Sequence, residues 1–467
     1  MTDQRGVVHT YTYNERRQLT VDGATTIPGG GTTIDDYVQS IARTYDDRGR
    51  VTNVYSYSGS GGSGTVRNRI EYQYRDGAGG NTGAVRLTRE RHGSANDFRQ
   101  VQYLEDDSVS SNVYNDRLRL VQIILYPTPM RVNFRRNPTA GVYIPDNTLD
   151  DRLDRVTALM VLPDGGSWER EVEYEYAGAD RLVQTHYRVP KVTLPMMGVK
   201  GGGPKSYGAW DRFGRRVRTR WADSNGAVTL TDQFDHTYDY AGNRLTRNIV
   251  TSVTNYSSDV KDQVYTYDGL QRLKTFDQGT LSGTTISGTP KLQQNWTLDQ
   301  LGNWEEFEDE TNGDGTFDLE QERTHLDANE IDTITASPGT DWADPIYDKA
   351  GNMTTSPQPG SLNNSYALKY DAWNRLVEVK NGPTVVQANQ YDGLNRRTIR
   401  DESGVGGDKR HFFYLMDWQV LEEVNEVSGV IGPDPVAQYV YHPQYIDSIA
   451  MRLWDNGSSV VDHYYLQ

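Results

Sequence analysis

One short pattern, returning again and again, constrains this chain more than anything else in it. Tyr370-Asp371-Ala372-Trp373-Asn374-Arg375-Leu376 reads Tyr, Asp, two variable residues, Gly or Asn, Arg, then an apolar residue. The pattern returns from Tyr45-Asp46 (with Gly49), Tyr238-Asp239 (Gly242), Tyr267-Asp268, Tyr347-Asp348 (Gly351) and Tyr391-Asp392 (Asn395). Trp210-Asp211-Arg212-Phe213-Gly214 replaces the Tyr by Trp, and Gln271 replaces the Gly or Asn of the copy at Tyr267. Tyr11–Leu19 is a worn copy, and weaker ones start at Leu298 and Leu326. A unit repeated at a period of tens of residues points to a repeat architecture.

Each residue type suits a strand–turn–strand joint. The Asp carboxylate accepts backbone N–H groups two residues on and shapes a type I turn. The Gly or Asn, Asn374 for example, falls where the chain must enter the left-handed region to rejoin a strand. The Tyr ends the incoming strand with its ring packed and its hydroxyl bonded or hydrated. From Trp210 the joints recur every 21 to 31 residues, room for two strands and a return turn. Asn225-Gly226, Asn381-Gly382 and Asn456-Gly457 supply return turns, because Asn-Gly between strand residues is a strong hairpin signal. The expected fold is therefore all-β, a repeat of consecutive β-hairpins that pair edge to edge into one continuous sheet.

Composition fits a wide amphipathic sheet better than a compact Leu/Ile core. Hydrophobic residues make up only 35%, Tyr (31) outnumbers Phe (9), and the 45 Gly suit many tight turns. Residues 1–205 read as divergent hairpins with long loops, and 206–467 as regular repeats. Arg69–Tyr74, Leu118–Ile123 and Glu171–Tyr176 look like strands, the last by strict alternation. The run 150–162 can also be read at helical spacing, but the joint-like Asp151-Arg152-Leu153-Asp154 before it favours a strand. The stretch 189–205, with three Pro and Gly201-Gly202-Gly203, is the expected boundary.

Function classes are narrowed from the same page. A net charge of −16 argues against nucleic acid. There is no Cys, hence no disulfide and no thiolate metal site. No run has membrane-span length, and Met1–Gly6 lacks the charged and apolar regions of a signal peptide. The strand-like tail to Gln467 carries no cap, so a sheet edge is expected there, with association through it.

The joints resemble the YD-repeat, or rearrangement-hotspot (RHS), family, which includes the shell region of the teneurins. The resemblance is specific over 206–467. It implies a sheet of hairpins spiralling into a hollow YD shell. In bacterial members the shell typically encloses a C-terminal polypeptide, often a toxin; in teneurins it supports adhesion. The implied partner is the rest of its own polypeptide or a C-terminal cargo domain, and the implied location is secreted or cell-surface. The self-cleaving core segment of bacterial members has no match here, so no cleavage residues are carried over.

Candidate chemistry is sparse. Glu310, Asn312, Asp314, the Thr316 carbonyl and Asp318 have the spacing of a calcium loop around Gly315, but the twelfth position is Gln321 where a bidentate Glu is expected. A polar hairpin tip explains the same residues. Asp106/Asp107, Asp150/Asp151 and Glu305/Glu306 could serve as glycosidase carboxylates, yet 64 acids make chance pairs inevitable. Trp210, Trp221, Trp296, Trp304 and Trp373 could stack on sugars or pack between hairpins. The sequence therefore ranks a non-enzymatic shell segment first, an adhesion or carbohydrate-binding module second and a glycoside hydrolase third.

Overall fold

The computed structural model describes residues 1–74, 85–92, 99–105, 120–126, 131–135, 156–162, 169–177, 181–188, 191–195, 209–223, 229–250, 261–416, 418–442, 445, 447–455 and 461–464. Among them strands dominate, and the one helical element is the short 3-10 turn Ser403–Val405. The chain is all-β, built of consecutive antiparallel hairpins. It divides into two compact units, one of residues 1–170, 347–355 and 366–467, the other of 171–346 and 356–365.

In the first unit an antiparallel ladder runs through Val8–Tyr13, Leu19–Thr26, Ser40–Tyr45, Val51–Tyr57, Val66–Tyr74, Val85–His92 and Arg99–Glu105. It continues through Leu120–Tyr126, Arg131–Arg135 and Ala158–Leu162. The stretch read two ways is thus a strand from Ala158; residues 151–155 lie outside the described residues. A second ladder takes in residues 367–371, then Leu376–Asn381, Thr384–Tyr391, Arg397–Asp401, Lys409–Tyr414 and Val420–Val427. Ala437–Tyr441, Ile449–Asp455 and Val461–Tyr464 complete it. Ile34–Asp35 joins that ladder in parallel beside Tyr370–Asp371. The core of this unit forms where the early strands meet the later joints. Ile41, Val54 and Ile70 are buried against Leu394 and Trp373, and Val7, Ala24 and Ile34 against Trp373 and Ala372.

In the second unit one ladder runs from residues 171–177 of the strand Glu169–Ala177 through Arg181–Tyr187, Val192–Pro195, Arg218–Asp223, Thr229–Tyr238 and Arg244–Ile249. It goes on through Asp262–Tyr267, Leu273–Gly279, Leu292–Leu298, Trp304–Glu310, Leu319–His325 and Ile331–Ala336. Val192–Pro195 pairs on both sides, while 196–208 lie outside the described residues. The return turn at Asn381-Gly382 has Gly382 at φ 55°; those at Asn225 and Asn456 also fall outside.

The joints share one backbone. The N–H of the second residue donates to the carbonyl of the sixth, and the N–H of the fifth to the carbonyl of the second: Asp46 to Arg50 at 2.9 Å and Gly49 to Asp46 at 2.9 Å, with Asp371 to Arg375 at 3.0 Å and Asn374 to Asp371 at 3.2 Å. The fifth residue is left-handed throughout, φ 84° at Gly49, 60° at Asn374 and 66° at Asn395 and Gln271. The ladder register slips just before the first residue, at Thr44/Tyr45 and Lys369/Tyr370. This is a type I turn closed by a glycine-type bulge, whose extra twist matches the strands it joins.

Two joints differ from the sequence reading. At the weaker copy near Leu326 the bonds run Leu326 to Glu330 and Asn329 to Leu326. Leu326 therefore takes the Asp place and His325 the Tyr place, one residue earlier than the pattern of side chains suggests. A further joint, unread in the sequence, lies at Tyr414-Leu415, where Leu415 bonds Gln419 and Trp418 bonds Leu415 with φ 68° at Trp418. Backbone bonds alone close the turn, so Leu can replace the Asp.

Candidate functional site

The chemistry of the joints is mechanical: each one is stapled to itself and to the next. Asp371 Oδ1 accepts the N–H groups of Trp373 at 2.9 Å and Arg375 at 3.0 Å, while Oδ2 accepts Arg375 Nε at 2.6 Å. The same three bonds recur at Asp46, Asp211, Asp268 and Asp392. Where Asn stands sixth, its amide replaces the guanidinium, as at Asp239–Asn243 and Asp348–Asn352, each 2.8 Å. Burial works against the Asp211 carboxylate, but bonds from Arg215 and Phe213 hold it below its usual range.

The links onward are as regular. Tyr45 donates its hydroxyl to the Leu19 carbonyl at 2.7 Å, Tyr74 to Val51, Tyr238 to Arg216, Tyr267 to Arg244 and Tyr391 to Leu376. In every case the acceptor is the seventh residue of the preceding joint; the bonds of Asn14 to Gln18 and Arg17 to Asn14 show that the worn first copy starts at Tyr13. The sixth-position arginine reaches forward: Arg215 Nη1 donates to the Asp239 carbonyl at 2.7 Å, Arg272 to Asp299 at 2.6 Å and Arg375 to Asp392 at 2.9 Å. Its guanidinium also lies over the next Tyr ring, 5.0 Å away for Arg215 on Tyr238 and 5.2 Å for Arg375 on Tyr391. A sixth-position Asn instead bonds the next left-handed side chain, Asn352 to Asn374 at 2.9 Å and Asn243 to Gln271. Sequence reasoning found the Arg but gave it no task; its spacing from the Asp was the signal.

Within the first unit a second set of contacts, invisible in the repeat, joins residues about 300 apart in sequence. Arg396 bridges Asp392 at 2.6 Å and Glu90 at 2.7 Å, with Asp392 fully buried. Burial raises the Asp392 carboxyl, whereas at Glu90 burial is the largest single influence but Arg396, His92 and the Tyr414 N–H together outweigh it and hold the group low. His92 and His411 stack with Nδ1 atoms 3.2 Å apart, so one ring donates and the other accepts. His411 Nε2 meets Glu426 at 2.7 Å, yet burial, with the His92 ring next, pushes His411 down to about 4. These residues lock the early strand Val85–His92 onto Lys409–Tyr414.

The other candidates separate. In the calcium-like loop, Glu310 Oε1 accepts the N–H groups of Asn312 and Asp314 at 3.1 Å. Asp318 accepts from Thr311 and Asn312, and Asp314 from Thr316. The loop's own donors occupy Glu310 Oε1, both Asp318 oxygens and Asp314 Oδ1, while Glu310 Oε2 is buried without a partner; among the described residues no group of three or more His, Asp or Glu is placed to hold a metal. Glu305 and Glu306 are exposed on one strand; Asp106/Asp107 and Asp150/Asp151 lie outside the described residues. Trp221 is buried and Trp373 packs in the core. Trp296, Trp304 and Phe307 form one aromatic cluster with ring centres 5.3–6.2 Å apart, and Trp304 is partly open to solvent.

No family model matches the chain, and no curated protein matches it in sequence. Solved structures do resemble it. A crystal structure titled TcdB2-TccC3-TEV aligns over 97% of this chain and 23% of that one, with 11% identity and a TM-score of 0.51. A TcdB2-TccC3 structure covers 96% and 26%, at 12% identity and TM-score 0.48. The Tc holotoxin pore of Photorhabdus luminescens covers 96% and 25%, at 10% identity and TM-score 0.49. The chain thus spans about a quarter of the length of these proteins, and the likeness to the first is one of fold.

Proposed function

We propose that this chain is a structural, non-enzymatic segment of a YD-repeat shell that encloses or displays another polypeptide. The observation that carries the reading is the joint-to-joint stapling. Tyr hydroxyl, Arg guanidinium and Asn amide each bind the neighbouring joint, so successive hairpins make one wall. A repeat whose side chains are spent on holding its neighbours builds surface rather than a reactive cleft. The fold shared with the TcdB2-TccC3-TEV structure supports the same reading.

The test uses the gene product as the cell makes it. The polypeptide that accompanies this segment is expected to stay intact under a protease that digests it when it is expressed alone. Equal digestion in both settings sinks the enclosure reading.

A further inference from the structure

The hydrogen bonds of the stacked pair His92–His411 admit one arrangement of protons when both rings are neutral. The two side chains are 0% and 2% exposed, and the rings lie 12° from parallel with centres 5.5 Å apart. Glu426 Oε2 stands 2.7 Å from His411 Nε2, so that nitrogen carries a proton and donates it to the carboxylate. A neutral His411 then has a bare Nδ1, which accepts from His92 Nδ1 across 3.2 Å. A neutral His92 has its own bare nitrogen at Nε2, and this atom is buried without a hydrogen-bond partner.

The pair therefore has two places for further protons, and they are unlike. One is His92 Nε2. Glu90 Oε2 lies 3.7 Å from it, and Asn68, directly across the ladder from His92, has a buried Oδ1 without a partner. A proton there sets a charge beside a carboxylate and leaves the bond between the rings intact. The other is His411 Nδ1, the acceptor of that bond. A proton there removes the lone pair and sets two cations against each other. Burial first, then the His92 ring, push His411 down to about 4, against about 6.5 for an ordinary imidazole.

The acids around the pair are already shared with cations. Arg396 lies 2.7 Å from Glu90 and 2.6 Å from Asp392, and Lys409 lies 2.8 Å from Glu426 and 4.0 Å from Asp401. On the next early strand Arg99 lies 3.5 Å from Glu422, and 5.6 Å from the centre of the Phe413 ring that stacks on His92. Across the ladder His411 meets only apolar Ile399 and Val424. A ring held below its ordinary value adds stability that is whole above about pH 6.5 and fades as pH falls towards about 4. Glu90 and Glu426, held low, act with the same sign only below the ordinary carboxylate value of about 4.3. Asp392 and Glu422, raised by burial, act with the opposite sign. Within this cluster, stability lost between pH 7 and 5 therefore belongs to the histidines.

We propose that His92 and His411 form an acid-released lock. In its neutral form one N–H···N bond ties the early strand Val85–His92 to the later strand Lys409–Tyr414; a second added proton, on His411, breaks that bond and opens the strands from one another. Such a switch needs a buried imidazole whose charged form the packing rejects, and this pair supplies two in contact. The lock does not depend on the shell reading.

The test compares amide hydrogen exchange of the whole folded chain at pH 7 and pH 5, corrected for the intrinsic pH dependence of exchange. Val85–His92 and Lys409–Tyr414 are expected to lose protection roughly tenfold or more at pH 5. Leu292–Leu298 and Trp304–Glu310, which hold no histidine, are expected to keep theirs. The double variant His92→Phe/His411→Gln retains every acid of the cluster, and its loss in the two lock strands is expected to stay within about twofold. Phe keeps the stack on Phe413, and Gln keeps an N–H for Glu426. Nitrogen-15 shifts of the histidine rings in the unaltered chain give a second reading, with His92 and His411 identified through the single variants. The His411 ring is expected to be neutral at pH 5 in the closed form and to charge only at lower pH. Equal protection of the lock strands at pH 7 and 5, an equal loss in the double variant, or a His411 ring that charges near pH 6.5 while the strands stay protected overturns the lock.

Discussion

Two sets of joints share one turn and differ in what covers it. In the unit of residues 1–170, 347–355 and 366–467, the fourth-position side chains Trp373 and Leu394 are packed under the early strands. Trp373 Nε1 donates to Asp22 at 2.9 Å, Arg5 donates to the Asp371 carbonyl at 2.9 Å, and a Cβ on Gly393 would stand 2.5 Å from Val54. In the unit of residues 171–346 and 356–365, the equivalent Phe213, Leu270 and Leu301 are 64%, 65% and 75% exposed. The turn is therefore a local device that forms with or without cover. Tertiary contact decides what each copy contributes.

The ion pairs inside the turns should show the largest contrast. Arg396 and Asp392 are sealed from solvent, and Glu90 adds a second buried carboxylate. Arg396→Met leaves both buried acids without their guanidinium, so it is expected to cost about 3–5 kcal/mol in urea denaturation, the range for breaking a buried pair from one side. The matching change Arg272→Met, at a pair 25% exposed on each side, is expected to shift the midpoint by a small fraction of that. Equal losses at the two sites would show that cover is irrelevant and that the turn's own bonds set its stability.

This contrast was only half legible in the sequence. The recurrence of Tyr-Asp gave the hairpin fold, because the Asp–N–H bonds and the left-handed fifth residue are local and each leaves a residue signature. The joint at Leu415 carried no Asp, and the one at Leu326 was one residue out of phase, since its backbone bonds close without the carboxylate. The contacts of Glu90 with Arg396 and His92 with His411 span 306 and 319 residues. Nothing in a local pattern encodes such a distance.

The apolar tips should give the next effect. Leu394 packs on Ile41, Val54 and Ile70, so Leu394→Ala opens a cavity in a partly enclosed site and is expected to cost about 2 kcal/mol. Leu270→Ala removes a side chain already in water and is expected to stay within about 0.5 kcal/mol. A cost at Leu270 as large as at Leu394, measured on the isolated chain, would mean that its tip is covered after all and that the contrast between the units is smaller than the exposures indicate.

The smallest effect tests the turn free of cover. Gln271 holds φ at 66°, a conformation that suits Asn or Gly, and its amide oxygen accepts a bond from Asn243. Gln271→Asn keeps an amide of similar function and lowers the cost of the left-handed backbone, as at Asn374 and Asn395. The expected gain is about 0.5 kcal/mol, since short side chains bond locally in that region while longer ones do not. Gln271→Gly relieves the same strain but removes the bond to Asn243. If the Asn variant gains and the Gly variant does not, the link between neighbouring joints is worth about as much as the backbone strain it opposes. If both gain equally, the staple at this exposed joint contributes nothing measurable, and the covered joints carry the stability of the repeat.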